Sequence, residues 1–235
     1  MRRALSYLNL VCATLFLTGV AFAVAPFDKC GVRVNRIASL WGRTLLWAAG
    51  VSVSVEGAEQ IAAPPYLFMC NHQSALDISV LLSHMPVQFR FVAKQELFRI
   101  PVFGWAIRKA GYISIDRDNP REALKAIEEA VARIKSGASV LIFPEGTRSA
   151  DGNLLPFMKG AFFLATRAGV PVVPLALIGT NPLQPPGCAV AARKGRVTIR
   201  VGKPIPMEGK GLSYKSELMG EVRAAIEGLM QCRTR

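Results

Sequence analysis

Beyond residue 50, short apolar runs alternate with segments whose apolar residues recur at helical spacing. Apolar runs of this length, bounded by polar residues, predict buried strands. They occupy residues 51–55, 66–70, 89–93, 112–115, 140–143, 172–178 and 197–201. Strands alternating with helices indicate an α/β fold with a mixed, largely parallel sheet flanked by helices.

The clearest helix prediction covers residues 120–136. Asn119 is a suitable N-cap, Pro120 fits the first helical position, and Glu122 would complete a capping box. Its predicted buried stripe consists of Leu124, Ile127, Val131 and Ile134. A closing helix is predicted over residues 213–230.

The N-terminal residues 4–27 carry no charged side chain. As a helix this run would cross a hydrocarbon layer of about 30 Å. Arginines at positions 2 and 3 precede it and further basic residues follow, so charge gives no clear orientation and favours a hairpin that enters one leaflet and returns. A cleavable signal peptide is the rival, because Ala21, Phe22 and Ala23 resemble a cleavage site.

The segment after this run has helical spacing and an arginine-bearing face. Its apolar positions are Val34, Ile37, Leu40, Trp41, Leu45 and Leu46. Such a helix can lie along a membrane, with Trp41 and Trp47 at the headgroup level. The alternative is a helix packed on the globular domain. We therefore divide the chain into membrane-anchoring helices over residues 1–49 and an α/β domain over residues 50–235.

The charge and the composition indicate which classes of partner the chain could bind. The chain has 29 Lys and Arg against 16 Asp and Glu, a net charge of +13, which suits nucleic acid or an anionic membrane. No nucleic-acid-binding motif is present and the mean hydropathy is positive, so a membrane is favoured and no nucleic acid is expected. Five scattered cysteines and two histidines predict neither a metal site nor a disulfide framework, but reduced thiols facing a cytosol.

Residues 71–77, NHQSALD, follow the predicted strand 66–70 and contain the first chemical constellation. A turn after the strand, with a helix capped by Ser74, would bring Asp77 back to His72. The imidazole could then take a proton from an attacking alcohol while the carboxylate fixes its tautomer. Three alternatives stay open: a structural histidine, an Asp77 that only caps the helix, and a nucleophilic Ser74 or Cys70.

Residues 143–149, FPEGTRS, follow another predicted buried strand. Gly146 permits close backbone approach, Glu145 could accept hydrogen bonds from a polyol, and Arg148 offers a planar fork suited to phosphate. An ordinary charged turn is the alternative.

Together the two runs resemble the NHxxxxD and FPEGTRS blocks of the glycerolipid acyltransferase family. Residues 111–117, GYISIDR, resemble a further block, although Ser114 stands where the family usually has an aromatic residue. Residues 93–97, 170–175 and 202–205 also read as in this family. The similarity covers about residues 50–206, in the family's order and approximate spacing.

The resemblance implies a two-helix membrane-docking element before an α/β domain, with transfer of an acyl group to the sn-2 hydroxyl of 1-acylglycerol-3-phosphate. His72 would be the general base and Asp77 its partner. The implied substrate-binding residues are Glu145, Gly146, Thr147, Arg148, Arg117 and Lys94, and Pro174 would shape a pocket. The donor would be acyl-CoA or acyl carrier protein, with no metal or other cofactor.

The implied location is the membrane, on the cytoplasmic face of the inner membrane. Two alternatives remain. The acceptor could be another lysolipid, such as a lysophospholipid or a lyso-ornithine lipid, or the chain could be a non-catalytic lipid-binding protein of the same fold.

Overall fold

The computed structural model describes residues 2–191 and 193–232, and the side chain of Arg2 lies outside the described part. The strands are β1 (Val51–Glu56), β2 (Leu67–Cys70), β3 (Phe89–Lys94), β4 (Ile113–Ile115), β5 (Ser139–Ile142), β6 (Val172–Ile178) and β7 (Gly195–Val201). All seven predicted strands are confirmed, with ends that move by at most two residues.

These strands form one sheet in the order β1-β7-β6-β2-β5-β3-β4. Neighbouring strands are parallel except for β6 and β7, which run antiparallel. The predicted mixed, largely parallel sheet is therefore confirmed. Four fully buried apolar residues make up β2, as expected for a strand covered on both faces.

Helices cover both faces of the sheet. They are α1 (Arg2–Val24), α2 (Val32–Ala49), α3 (Leu76–His84), α4 (Gln95–Arg99), α5 (Phe103–Lys109), α6 (Pro120–Lys135), α7 (Lys159–Ala168), α8 (Thr180–Leu183) and α9 (Lys215–Gln231). Side chains alternate along β2, so Phe68 joins the core beneath α2, α3 and α5, whereas Leu67 and Met69 join the core beneath α6, α7 and α9.

Helix α6 begins as predicted but differs in two details. Asn119 Oδ1 accepts from the N–H of Arg121 at 3.1 Å and of Glu122 at 3.4 Å. The Glu122 carboxylate accepts from Lys125 Nζ at 2.7 Å, and no capping-box bond from Glu122 is present among the described residues. The predicted buried stripe is confirmed except at its first residue: Ile134 is buried, and Ile127 and Val131 are partly buried and pack against the core. Small side chains let the helix approach the sheet closely, so its buried residues are Ala126, Ala130 and Ile134, whereas Leu124 is 45% exposed.

The two N-terminal helices pack on each other and on the α/β layers. Trp41 Nε1 donates to Thr14 Oγ1 at 2.9 Å across α1 and α2. At Gly42 an added Cβ would lie 2.7 Å from the carbonyl oxygen of Ser79 in α3. Helix α2 therefore packs on the globular domain, as the alternative interpretation expected. Its placement along a membrane stays a prediction, and Trp47 is 75% exposed.

Helix α1 leaves most of its apolar surface exposed. Of the described helices, it is the one that is long and apolar enough to cross a membrane, over residues 3–27. Exposed apolar side chains along it include Leu8, Leu15, Phe16 and Phe22. Because a soluble helix normally buries its apolar face, this exposure favours association with a membrane.

Candidate active site

The two sequence blocks meet because their strands are neighbours. Strands β2 and β5 pair in parallel with Met69 opposite Ile142, so the loops after them leave the same edge of the sheet. Ligands of α/β proteins bind at this carboxyl edge. The loops are also bonded directly, since the Ser149 N–H donates to the His72 carbonyl at 2.8 Å.

The imidazole of His72 lies beside the carboxylate of Asp77, with Nδ1 and Oδ2 2.8 Å apart. The same Oδ2 accepts from the N–H of Gln73 at 2.7 Å and of Ser74 at 2.9 Å. Asp77 is fully buried, whereas the His72 side chain is 16% exposed. Both interpretations of Asp77 therefore hold: it caps the turn and it contacts the imidazole.

The predicted cap by Ser74 is displaced by one position. Helix α3 begins at Leu76, and Ala75 is its N-cap. Ser74 Oγ donates to the Gln184 carbonyl at 2.7 Å and accepts from the Leu76 N–H at 3.1 Å, inside a fully buried site. A buried hydroxyl with these partners is not available as a nucleophile.

The second alternative nucleophile, Cys70, is equally unsuited. Its side chain is fully buried at the end of β2, and burial raises the pKa of the thiol well above its usual value, with further increases from the charges of Asp77 and Glu145. Because the thiolate is the reactive form, Cys70 is held in its inert state.

Glu145 fixes the backbone of the site. Its Oε1 accepts from the His72 N–H at 2.6 Å and its Oε2 accepts from the Leu155 N–H at 2.7 Å. Burial raises the pKa of the carboxyl, and these two backbone hydrogen bonds oppose the increase. The structure thus gives Glu145 a positioning role that the sequence did not indicate, and its predicted contact with substrate stays a prediction.

The cationic residues of the prediction lie in more open positions. Arg148 and Thr147 are exposed, and Lys94 is exposed and pairs with Glu96 at 2.9 Å. Arg117 is half-buried, and burial lowers its pKa, opposed by Glu96 and Asp118. Arg117 and Gly146 lie together on the wall of one cavity, whose other lining residues are mostly apolar and include Phe143, Pro144 and Met158.

Gly146 is needed by the turn after β5. Its φ is +75°, and an added Cβ would lie 2.3 Å from Met158 Sδ. Any other residue there would be strained and would intrude on the cavity. Pro174 is buried in β6 and packs against Gly202, where an added Cβ would lie 2.9 Å from its Cγ. Its predicted role in shaping a pocket stays a prediction.

Two positioning residues were missed by the sequence analysis. Asn71 forms a pair of hydrogen bonds with the backbone of Leu177, donating at 2.9 Å and accepting at 2.7 Å. The Phe143 ring stacks on the His72 imidazole with centroids 4.0 Å apart and planes 13° apart. Both residues belong to the quoted blocks, and that membership was the only signal available in the sequence.

Comparison with known proteins identifies the family of the chain. A family model described as Acyltransferase matches residues 52–178. The 1-acyl-sn-glycerol-3-phosphate acyltransferase of Pseudomonas aeruginosa is 34% identical, over 98% of this chain and 90% of that protein. The chloroplastic 1-acyl-sn-glycerol-3-phosphate acyltransferase BAT2 of Brassica napus is 38% identical over 83% of this chain.

The chain spans 57% of the length of the Brassica napus protein and 48% of an Arabidopsis thaliana relative. Among solved structures, the 1-acyl-sn-glycerophosphate (LPA) acyltransferase PlsC of Thermotoga maritima matches with a TM-score of 0.79 and 27% identity over 100% of both chains. The fold, the family model and the two relatives agree, and the chain belongs to the Acyltransferase family.

Proposed function

We propose that this protein transfers a fatty acyl group from a thioester donor to the free sn-2 hydroxyl of 1-acylglycerol-3-phosphate, giving phosphatidic acid. The observation that carries the proposal is the 2.8 Å contact between His72 Nδ1 and Asp77 Oδ2 in a member of this family. The names of the relatives support this acceptor, and acyl-CoA or acyl carrier protein is the proposed donor.

The proposed reaction uses His72 as the general base. Oδ2 of Asp77 already accepts from two backbone N–H groups, and a third hydrogen bond from Nδ1–H leaves the lone pair on Nε2. Nε2 takes the proton of the acceptor hydroxyl as that oxygen bonds to the thioester carbonyl carbon. The C–S bond then breaks, and the thiolate takes the proton back from Nε2. Asp77 stabilises the imidazolium between these steps.

Recognition of the acceptor phosphate is assigned to Arg148, with Arg117 and Lys94 as further cationic contacts. Within the described residues the Arg148 guanidinium has no side-chain partner, so its planar fork is open to a bidentate anion. The backbone of Gly146 and Thr147 borders the same turn, and Glu145 completes the substrate-binding set predicted from the sequence. The exposed apolar surface of α1 would hold the protein at the cytoplasmic face of the membrane.

The test is a substrate panel with purified protein in mixed micelles. Lysophosphatidic acid, lysophosphatidylcholine and a lyso-ornithine lipid would each be offered with acyl-CoA and with acyl carrier protein that bears a fatty acyl thioester. We expect phosphatidic acid from lysophosphatidic acid with at least one donor. Turnover with another acceptor alone would overturn the assignment, and turnover with none would favour a lipid-binding protein.

A further inference from the structure

The corner between α4 and α5, residues 97–102, exposes three apolar side chains. Leu97 is 39% exposed, Ile100 47% and Val102 48%. Nothing in the reaction proposed above uses these side chains. We call this segment the 97–102 corner.

The shape of the 97–102 corner is fixed by hydrogen bonds. The Gly104 N–H donates to the Ile100 carbonyl at 2.7 Å, and Arg108 Nη2 donates to the Phe98 carbonyl at 2.5 Å. Val102 has a φ of +67°, a conformation that β-branched residues rarely adopt. Backbone strain at an exposed apolar residue indicates that the exposed side chain has a function.

The corner leads directly into α5, which contacts the end of α1. The Phe22 and Trp105 rings lie 5.1 Å apart, which joins the end of α1 to α5. Phe22 and Phe27 are themselves 66% and 76% exposed. The turn after α1 is also close to α5, because a Cβ at Gly31 would lie 2.8 Å from the Lys109 carbonyl oxygen.

Charge indicates what this surface contacts. Residues 94–110 contain four basic residues, Lys94, Arg99, Arg108 and Lys109, and one acidic residue, Glu96, which pairs with Lys94 at 2.9 Å. Exposed apolar side chains beside unneutralised basic ones are typical of segments that lie in the headgroup region of anionic bilayers.

We propose that the 97–102 corner is a second bilayer contact, which inserts Ile100 and Val102 into an anionic membrane beside α1. This inference rests on the proposed function, because only a bilayer-resident acceptor needs it. Arg90 Nη2 donates to the Cys30 carbonyl and Asn35 Nδ2 to the Phe89 carbonyl, both at 3.1 Å, so the turn after α1 and α2 are tied to β3. Two contacts on one rigid frame set the tilt of the active site as well as its height.

The experiment compares the full chain with a variant that carries Ile100→Ser and Val102→Gly. Glycine relieves the positive φ at position 102, so the fold should not lose stability. The control is Leu124→Ser, an equally exposed apolar residue on α6 at the other face of the sheet. Binding to vesicles of phosphatidylglycerol and phosphatidylcholine is measured by sedimentation, and turnover is measured with a short-chain, water-soluble lysophosphatidic acid.

We expect the double variant to bind vesicles about tenfold more weakly, from the loss of two apolar contacts, and Leu124→Ser to bind normally. Unchanged vesicle binding by the double variant would overturn the proposal. If binding to vesicles is unchanged but the KM for acyl carrier protein rises, the corner is a protein-docking surface instead. Turnover of the soluble acceptor by the unsubstituted chain reports on the proposed function separately, and the double variant should retain it.

Discussion

At the scale of single residues, Asp77 does more than orient an imidazole. Its Oδ2 accepts from the N–H groups of Gln73 and Ser74 as well as facing His72 Nδ1. We expect Asp77→Ala to lose activity about 10²-fold or more, and to lower the free energy of unfolding by about 1–3 kcal/mol because buried N–H groups lose their acceptor. Chemical denaturation compares it with His72→Ala, which keeps those bonds. A free energy of unfolding for Asp77→Ala equal to that of the unsubstituted chain would show that the capping bonds contribute nothing.

The proposed contact of Arg148 with the acceptor phosphate would affect binding of the acceptor and not the chemical step. Arg148→Ala should raise the KM for the phosphate-bearing acceptor by about tenfold or more, as expected for a lost charged hydrogen-bonding pair. Arg148→Lys should recover only part of that loss, because an ammonium lacks the bidentate fork. Steady-state kinetics with each substrate varied in turn measure this, with the exposed Arg121→Ala on α6 as a control. A change confined to the KM of the acyl donor would contradict the assignment.

At the scale of elements, the Glu145 carboxylate joins the loop after β5 to the loop after β2, beside the backbone hydrogen bond from Ser149 to His72. A glutamine has one carbonyl oxygen, so Glu145→Gln must leave the N–H of His72 or of Leu155 without its acceptor. We expect a lower kcat with little change in the KM for the acceptor, since the base is displaced. Glu129→Gln, an exposed residue of α6, is the matched control.

The opposite change in the two kinetic constants would support the substrate-binding role that the sequence predicted for Glu145. If Glu145→Gln raised the KM of the acceptor and left kcat unchanged, its carboxylate would contact the substrate directly and the tie between the loops would be dispensable.

The elements themselves were largely predictable, and the contacts between them were not. Buried strands such as β2 are recognisable as short apolar runs, and Asn119 marked the start of α6. In α6 the sequence placed Ile127, Val131 and Ile134 correctly toward the core. It placed Leu124 there wrongly, because hydropathy ranks Leu124 above Ala126, whereas close packing on the sheet selects the small side chain. The pairing of Asn71 with Leu177 crosses 106 residues, so no local pattern could indicate it.

In the candidate site, too, local contacts could be predicted from the sequence and contacts between elements could not. The proximity of His72 and Asp77 was predicted from a turn after the strand followed by the start of a helix, because the geometry is local. The backbone role of Glu145 depends on β2 and β5 being adjacent, and the stacking of Phe143 on His72 depends on it too. Strand order is a property of the whole sheet, so these two contacts required the structure.

At the scale of the whole molecule, α1 and α2 differ in burial: α2 packs closely on α3, whereas α1 leaves most of its apolar surface exposed. A chain that begins at Gly50 would lack α2 as well as α1, and its α3 would be uncovered. The sharper test therefore removes α1 alone. It keeps Asp28, whose carboxylate accepts from the N–H groups of Val32 and Val34 at the start of α2. We expect the full chain to stay on vesicles at high salt and the shortened chain to be released, because salt screens only the charged contacts. Release of the full chain by salt would show that α1 does not insert.

His72 is proposed to remove the proton from the acceptor hydroxyl, and the rate of single-turnover transfer by His72→Ala measures the contribution of that step. The variant would be assayed with lysophosphatidic acid and a saturating acyl donor, beside the unsubstituted chain, after vesicle sedimentation shows equal membrane binding. We predict a rate of acyl transfer lower by at least about 10²-fold, the usual scale for loss of a general base, in a folded protein. A rate close to that of the unsubstituted chain would show that His72 is not the general base.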